Sequence, residues 1–216
     1  MHKKNINLNI NSKFKGVPTQ IKNPELVRKR RRQIVDATAR LIVEHGYHKT
    51  TTRMIAKEAG FSIGSLYEYV RSKEDVLYLV CEAIHIEAER EIKGALAGVN
   101  SKGTLAEMVR GYFRVCCNMS DHILLLYQST QYLPSHRKDQ ILENERCIIG
   151  IFIQALQRSS DEGDFPGLDL KSASLIGHDI AVLGQMWAFR RWSLAKQFSI
   201  DDFIEEQTQI IIRLVS

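Results

Sequence analysis

The spacing of apolar residues predicts helices along most of the chain. The first clear apolar face recurs at helical intervals and consists of Ile34, Ala37, Leu41 and Ile42. The tripeptide 23–25, Asn-Pro-Glu, precedes this face and is typical of a helix start, with an Asx cap, proline in the first turn and an early acid. Gly46 follows as a stop signal. We therefore predict a helix over about 23–45.

The same pattern predicts eight further helices. Ser72 and Ser199 are the expected N-caps of the helices that follow them, each with Asp three residues on. Gly and Pro are sparse, at 13 and 4 of 216 residues, and no segment alternates like a strand. The fold class is therefore predicted to be all-α, with about nine helices. The eight additional ranges are about 52–59, 63–69, 73–97, 104–118, 121–132, 137–158, 169–193 and 200–214.

Charge is concentrated at the N-terminal end. Residues 1–32 carry ten Lys or Arg and one acid, a net charge of +9, which leaves −4 for the remainder because the whole chain carries +5. Residues 1–22 also lack periodicity, so we predict a flexible basic arm that meets a polyanion. The densest apolar run, 148–153, is far shorter than the roughly 18–20 residues of a membrane span. We expect a cytoplasmic protein without a membrane partner.

Residues 51–67 combine the features of a helix-turn-helix. Small Ala56 and Ala59 let a second helix approach, Gly60 permits a sharp turn, and Ser62 caps the next helix. The side chains left to face outward are small or form hydrogen bonds, as a helix in a DNA major groove requires. Any helical hairpin with a glycine turn is the alternative. The cationic run 28–32 favours DNA, because it places positive charge next to this face.

This segment resembles the TetR family of bacterial transcriptional regulators (TetR/AcrR type). The shared pattern is T-x-R-x-I-A-x-x-A-G-x-S-x-G-x-L-Y, continued by Ser72-Lys73-Glu74 and Leu77; Val70 stands where many members have Phe. The resemblance is strong over about 25–95. It implies a three-helix DNA-binding domain over 23–72, followed by a larger helical ligand-binding and dimerisation domain over 73–216.

The resemblance also implies roles for individual residues. Hydroxyl and cationic groups would contact phosphates, while Arg53 and the start of the second helix would reach base edges. A core position for Tyr67 and a solvated Lys73 are the alternatives. The implied DNA contacts are Thr51, Thr52, Arg53, Ser62, Ile63, Gly64, Ser65, Tyr67, Tyr69 and Lys73.

By the same resemblance the protein is a homodimer, formed through helices 169–193 and 200–214, on a palindromic operator. Those helices could instead complete the monomer core. Repression, with release by a small-molecule effector, is the family default; activation or a redox response through Cys116 and Cys117 are alternatives.

The string 187–192 places two arginines between two tryptophans, which could hold a phosphate or carboxylate beside an apolar pocket. It is similar to C-terminal domains of family members that govern fatty-acid or acyl-CoA metabolism, and this resemblance implies an acyl-CoA or another anionic apolar ligand as the effector. Ordinary core packing and a helix-end cluster are the alternatives. The candidate ligand residues are Phe113, Cys117, Tyr127, Phe152, Trp187, Arg190 and Arg191.

Other functional classes find little support. The chain lacks the G-x-S-x-G, P-loop and H-E-x-x-H motifs, so we expect no enzyme and no catalytic residue. Its cysteines and histidines lack the spacing of metal ligands, so we expect no metal and no cofactor. A non-specific architectural DNA binder is the remaining alternative.

Overall fold

The computed structural model describes residues 17–97, 105–165 and 167–215, and in these ranges it contains nine α-helices and no strand. The all-α prediction is confirmed, and every predicted helix is found with its ends within three residues of those expected. Among the described residues, none of the helices is both long enough and apolar enough to cross a bilayer. The helices are α1 Pro24–His45, α2 Thr52–Ala59, α3 Ile63–Tyr67, α4 Lys73–Ala97, α5 Leu105–Asn118, α6 Ser120–Thr130, α7 Ser135–Asp161, α8 Leu170–Leu194 and α9 Ile200–Val215.

Side-chain caps fix several helix ends. The Asn23 carboxamide oxygen accepts hydrogen bonds from the backbone N–H groups of Glu25 and Leu26, at 3.1 and 3.2 Å, and begins α1. Ser199 and Asp202 cap α9 reciprocally, since each side chain accepts from the other's backbone N–H. These contacts satisfy donors that a helix leaves unpaired at its N-terminus.

The chain forms two compact units. The first comprises the residues up to Glu87 together with Leu124–Ile141, and the second comprises Ala88–Ile123 and the residues from Leu142 onward. Helices α4, α6 and α7 contribute residues to both. The domain boundary between residues 72 and 73 stays a prediction.

In the first unit, α1 packs on α2 and α2 packs on α3 around one apolar core. Val70, which stands where many members of the family have Phe, lies in this core. The core therefore supports α2 and α3 from behind and leaves their other faces open to solvent. Its fully buried members include Ile34, Ile55, Leu66, Leu77 and Ile84.

In the second unit, α5 packs against α8 and α9. Gly184 permits the close approach of α8, because a Cβ added there would lie 2.5 Å from a ring carbon of Tyr112. The Tyr112 hydroxyl is buried and donates to the carbonyl of Ala181 at 3.2 Å. The largest fully buried side chains of this core are Phe113, Phe152, Leu156, Ile180 and Ile211.

The predicted basic arm lies mostly outside the described residues. Its described part, residues 17–22, is packed rather than free. Val17 is buried in the first core, and its carbonyl accepts a hydrogen bond of 2.6 Å from the Arg31 guanidinium. Helical pattern alone could not reveal this contact, because the segment has no secondary structure.

Candidate nucleic-acid interface

The turn between α2 and α3 is built as the sequence predicts. The Thr51 hydroxyl accepts from the Met54 N–H at 3.2 Å and caps α2. At the other end, Gly60 adopts the left-handed conformation, with φ 77° and ψ 33°. The Gly60 N–H donates to the Lys57 carbonyl and the Phe61 N–H to the Ala56 carbonyl, which together form a Schellman motif. The angle between α2 and α3 is therefore set by local hydrogen bonds.

The first turn of α3 presents a small, polar surface. The Ser62 hydroxyl accepts from the Ser65 N–H at 3.0 Å and caps this helix. Ile63 and Gly64 are exposed. A Cβ built on Gly64 would meet one heavy atom within 4 Å, the Ser62 Oγ at 3.8 Å. No neighbour in the described part of the chain therefore excludes a side chain there, although glycine weakens a helix.

A hydroxyl pair joins the exposed faces of α2 and α3. The Tyr67 hydroxyl donates to the Thr52 Oγ1 at 3.3 Å, and the Tyr67 ring is exposed. Tyr67 is thus not the buried aromatic of the alternative interpretation. The Thr52 hydroxyl keeps its own proton to donate to a phosphate, whereas the Tyr67 hydroxyl would have to turn away from Thr52 to do the same.

Exposed cations border this face. Arg53, in the first turn of α2, and Lys57, one turn later, are both exposed. Lys49, two residues before the Thr51 cap, is exposed as well. Lys49 was not among the predicted contacts, although it is a cation two residues before the cap of α2.

Tyr69 does not lie on this face. The helix containing it was expected to reach residue 69 but ends at Tyr67, and the Tyr69 N–H then closes a turn to the Leu66 carbonyl. The Tyr69 side chain is only 5% exposed and packs near Phe61, with the ring centroids 6.2 Å apart. The structure therefore gives Tyr69 a core position in place of the expected phosphate contact.

Lys73 is held by the loop that precedes α2. Its ammonium donates to the Tyr47 carbonyl at 2.7 Å and lies 4.1 Å from the centroid of the Tyr47 ring. Burial lowers the pKa of Lys73, and Glu74 opposes that shift. The Tyr47 ring in turn stacks on Tyr132 at 4.8 Å. Lys73 is half-buried and fixes this loop, so a phosphate contact through it stays a prediction.

The cationic run 28–32 is divided between surface and core. Arg31 is 2% exposed and donates to the backbone carbonyls of Tyr69 and Val17. Burial lowers the pKa of Arg31. The Arg30 guanidinium lies 5.1 Å from the ring centroid of Phe61, in the turn between α2 and α3. Arg31 therefore does not add to the exposed positive charge that the run places next to the face of α2 and α3, because its donors bind backbone carbonyls.

Six of the predicted effector residues lie in the second unit. Phe113, Cys117, Phe152 and Trp187 all belong to its buried core. Tyr127 belongs to the first unit and is exposed. Core packing, the alternative given in the sequence analysis, accounts for the burial of Phe113, Cys117, Phe152 and Trp187.

The two predicted effector arginines have different surroundings. Arg191 donates to the Asp121 carboxylate at 2.7 Å and to the Ser120 hydroxyl at 3.2 Å. Arg190 is exposed and lies 5.3 Å from the centroid of the exposed Trp192 ring. A joint grip by both arginines on one anion would therefore require Arg191 to leave Asp121.

The vicinal cysteines are poor candidates for a redox response. Cys116 and Cys117 are buried free thiols. Burial raises the pKa of Cys116 to about 12 and that of Cys117 to about 11. The thiolate, which is the reactive form, is therefore scarce at neutral pH.

Comparison with known proteins identifies the family of this chain. The profile described as "Bacterial regulatory proteins, tetR family" matches residues 34–78, which include α2, the turn and α3. The chain belongs to the TetR family. The HTH-type transcriptional regulator HbdR of Aromatoleum sp. (strain CIB) is 28% identical to it over 202 residues, which cover 93% of this chain and 87% of HbdR. This TetR-family chain is a DNA-binding transcriptional regulator.

Two further comparisons concern proteins of fatty-acid metabolism. The Fatty acid metabolism regulator protein of Bacillus subtilis (strain 168) is 29% identical over 145 residues, which cover 65% of this chain and 74% of that protein. A crystal structure of the transcriptional regulator FadR from Bacillus subtilis in complex with stearoyl-CoA superposes with a TM-score of 0.62. At 21% identity, with 85% of this chain and 96% of that chain covered, this likeness shows the shared fold.

Proposed function

We propose that this regulator is a cytoplasmic repressor that binds a palindromic operator as a homodimer and leaves it when an acyl-CoA, or another anionic apolar ligand, binds. The observation that carries the DNA-binding part is the exposed surface of α2 and α3. It combines a cation at Arg53, a hydroxyl pair at Thr52 and Tyr67, and an uncovered backbone at Gly64. Such a surface suits phosphate contacts at its edges and base contacts at its centre.

The exposed apolar residues of α8 and α9 support a dimer. Leu175, Val182 and Phe189 repeat every seven residues along α8, and the first two are 65% and 62% exposed. On α9, Ile210 and Leu214 are exposed one turn apart. Rows of exposed apolar residues at helical spacing are typical of a protein–protein interface. A dimer that places two copies of α3 about 34–36 Å apart would meet successive major grooves of a palindrome.

Support for the ligand class comes from the relatives and from the second core. A relative is named as a regulator of fatty-acid metabolism, and the same fold holds stearoyl-CoA in another protein. In this chain His122 is half-buried, and its two buried ring nitrogens have no hydrogen-bond partner among the described residues. Burial lowers the pKa of His122, which favours its neutral form. An effector carbonyl or hydroxyl would satisfy a group that is otherwise costly to bury.

The DNA-binding proposal is tested by operator selection followed by single substitutions. Random duplexes are enriched on the wild-type protein, and the selected sequence is measured by fluorescence anisotropy against Arg53→Ala. We expect its affinity to fall by about 10- to 100-fold, the value of a good base-edge contact. Lys171→Ala, which removes an exposed cation from α8, is the matched control and should bind like wild type. Equal operator affinities for the two variants would show that Arg53 does not contact the DNA.

The effector proposal is tested with stearoyl-CoA, and with coenzyme A and stearate as controls. We expect stearoyl-CoA to raise the melting temperature and to release labelled operator DNA, because a ligand that prefers one state shifts the population toward it. Arg190→Ala should weaken release without changing operator affinity in the absence of ligand. No shift and no release at ligand concentrations far above that of the protein would contradict this ligand class.

A further inference from the structure

The loop between α1 and α2 is held by side chains from two distant segments of the first unit. The Tyr47 ring stacks on Tyr132, in the turn between α6 and α7, with the ring centroids 4.8 Å apart and the planes 14° apart. The His48 ring meets the same Tyr132 ring edge-on, with the centroids 4.6 Å apart. The Lys73 ammonium, from the first turn of α4, donates to the Tyr47 carbonyl at 2.7 Å. Tyr132 thus contacts two successive residues of this loop.

A cleft of about 370 Å³ lies between the loop and the end of α6. The loop lines it from one side and residues 128–132 from the other, and the rings of Tyr47, His48 and Tyr132 join the two sides. A loop beside a cleft has fewer packing contacts than one that lies on a core, so each remaining contact contributes more to its position. The contacts of Tyr132 are therefore a substantial part of what holds this loop.

Lys49 directly follows the two rings that contact Tyr132, and its side chain is exposed. The next residue, Thr50, is fully buried, and its N–H and hydroxyl both donate to the Gly46 carbonyl, at 3.3 and 2.9 Å. The backbone of Lys49 is therefore held on both sides while its side chain remains in solvent. Lys49 lies two residues before the Thr51 cap of α2, so the two Cα atoms are at most about 7 Å apart.

We propose that Lys49 binds a phosphate of the operator and that Tyr132 is a positioning residue for this contact, acting through Tyr47 and His48. This inference rests on the proposed DNA-binding function and makes the turn between α6 and α7 a support of the DNA-binding surface. A cation on a fixed loop binds a phosphate more tightly than one on a mobile loop, because less conformational entropy is lost on binding. Glu74, whose carboxylate accepts from the Tyr47 hydroxyl at 3.5 Å, is an acid at this cluster and opposes its positive potential.

The test compares Tyr132→Ala, Lys49→Gln and the double variant. Operator affinity is measured by fluorescence anisotropy at several salt concentrations. Each single variant should lower the slope of log affinity against log salt by about 1.8, because a dimer loses two phosphate contacts at about 0.9 each. The affinity advantage of the wild type should therefore shrink by about 12-fold between 50 and 200 mM salt. The double variant should lower the slope no further, since both changes abolish the same contact.

Controls separate loss of the contact from loss of stability. Tyr132→Phe keeps the stacked ring and should restore the wild-type slope. Gln131→Ala changes the exposed neighbour in the same turn, and Lys171→Gln removes an exposed charge from α8; both should keep the wild-type slope. Urea denaturation and helical circular dichroism report the folding of Tyr132→Ala. If that variant does not fold, His48→Ala, at an exposed position, removes the edge contact instead and should lower the slope in the same direction.

Three results would overturn the inference. The first is a wild-type salt slope for Lys49→Gln. The second is a folded Tyr132→Ala with lower affinity but a wild-type slope, which would give the ring a role in stability alone. The third is a double variant whose slope falls by twice the amount of each single variant, since the two residues would then act independently. Failure of the proposed function is distinguishable, because the wild-type protein would then select no operator at all.

Discussion

Replacement of Gly64 by Ala should have opposite effects on the stability of α3 and on its binding to DNA. Gly64 lies in the first turn of α3, and an added Cβ would make only an ordinary contact of 3.8 Å with Ser62. Alanine in a helix is favoured over glycine by about 0.5–1 kcal/mol, and the first turn should give the lower part of that range. The variant should therefore be equally or slightly more stable than the wild type.

The same methyl group should impair DNA binding. It projects from the exposed face of α3, where a base edge or sugar would approach, and a misfit at one such position costs about 1–3 kcal/mol. The expected loss of operator affinity is therefore about 5- to 150-fold. Urea denaturation gives the free energy of unfolding, and fluorescence anisotropy gives the affinity.

Gly150→Ala is the matched control for this change. Gly150 lies inside α7, and an added Cβ there meets no heavy atom within 4 Å. It should gain stability in the same way and keep full operator affinity. If Gly64→Ala also keeps wild-type affinity, the first turn of α3 does not face DNA and the assigned interface is wrong.

Three further predictions concern helix packing at Gly184, the buried cation Arg31 and the half-buried imidazole of His122. Gly184→Ala should lower the free energy of unfolding by about 1–3 kcal/mol in urea denaturation, because its Cβ would lie 2.5 Å from the Tyr112 ring; an unchanged midpoint would contradict the close approach of α8. Arg31→Met should lower it by about 1–3 kcal/mol, because two buried carbonyls lose their donor, whereas the exposed Lys29→Met should not; equal melting temperatures for the two variants would refute this role. Burial lowers the pKa of His122 below its value in the unfolded chain, about 6.5, so stability should be complete above that pH and fall as the pH drops below it. His122→Phe should flatten this decline in melts between about pH 7 and pH 5, and an identical pH profile would exclude His122 as its source.

Helix positions were predictable because their signals are local. Asn23 and Ser199 each bond to backbone groups within three residues, so the sequence around a cap contains all that is needed to place it. The turn at Gly60 was predictable for the same reason. The family pattern then gave these helices a function that periodicity alone could not assign.

The mispredicted positions depend on contacts between distant parts of the chain. Arg31 appears as one cation in a run of five, yet its partners Val17 and Tyr69 lie 14 and 38 residues away. The stacking of Tyr47 on Tyr132 joins a loop to a distant segment in the same way. Tyr69 was expected to contact a phosphate, but α3 ends two residues earlier than predicted and the Tyr69 side chain lies in the core. Pattern spacing does not encode such pairings.

The effector-binding residues were harder to predict from the sequence for a different reason. Phe113 and Phe152 have the same residue types and the same spacing whether they line a pocket or fill a core. A ligand pocket is distinguished from a filled core by buried polar groups that have no hydrogen-bond partner, such as the ring nitrogens of His122. Whether a polar group finds a partner depends on tertiary packing, which the spacing of residues in the sequence does not reveal.

The open apolar faces of α8 and α9 have a genetic consequence. A chain with a damaged α3 keeps Leu175, Val182 and Ile210, and so keeps the surface through which subunits are proposed to pair. Made in equal amounts with the intact chain, it would leave only about a quarter of the dimers with two working DNA-binding heads. Lesions in α3 should therefore be dominant over the wild-type allele, whereas lesions in these faces should be recessive.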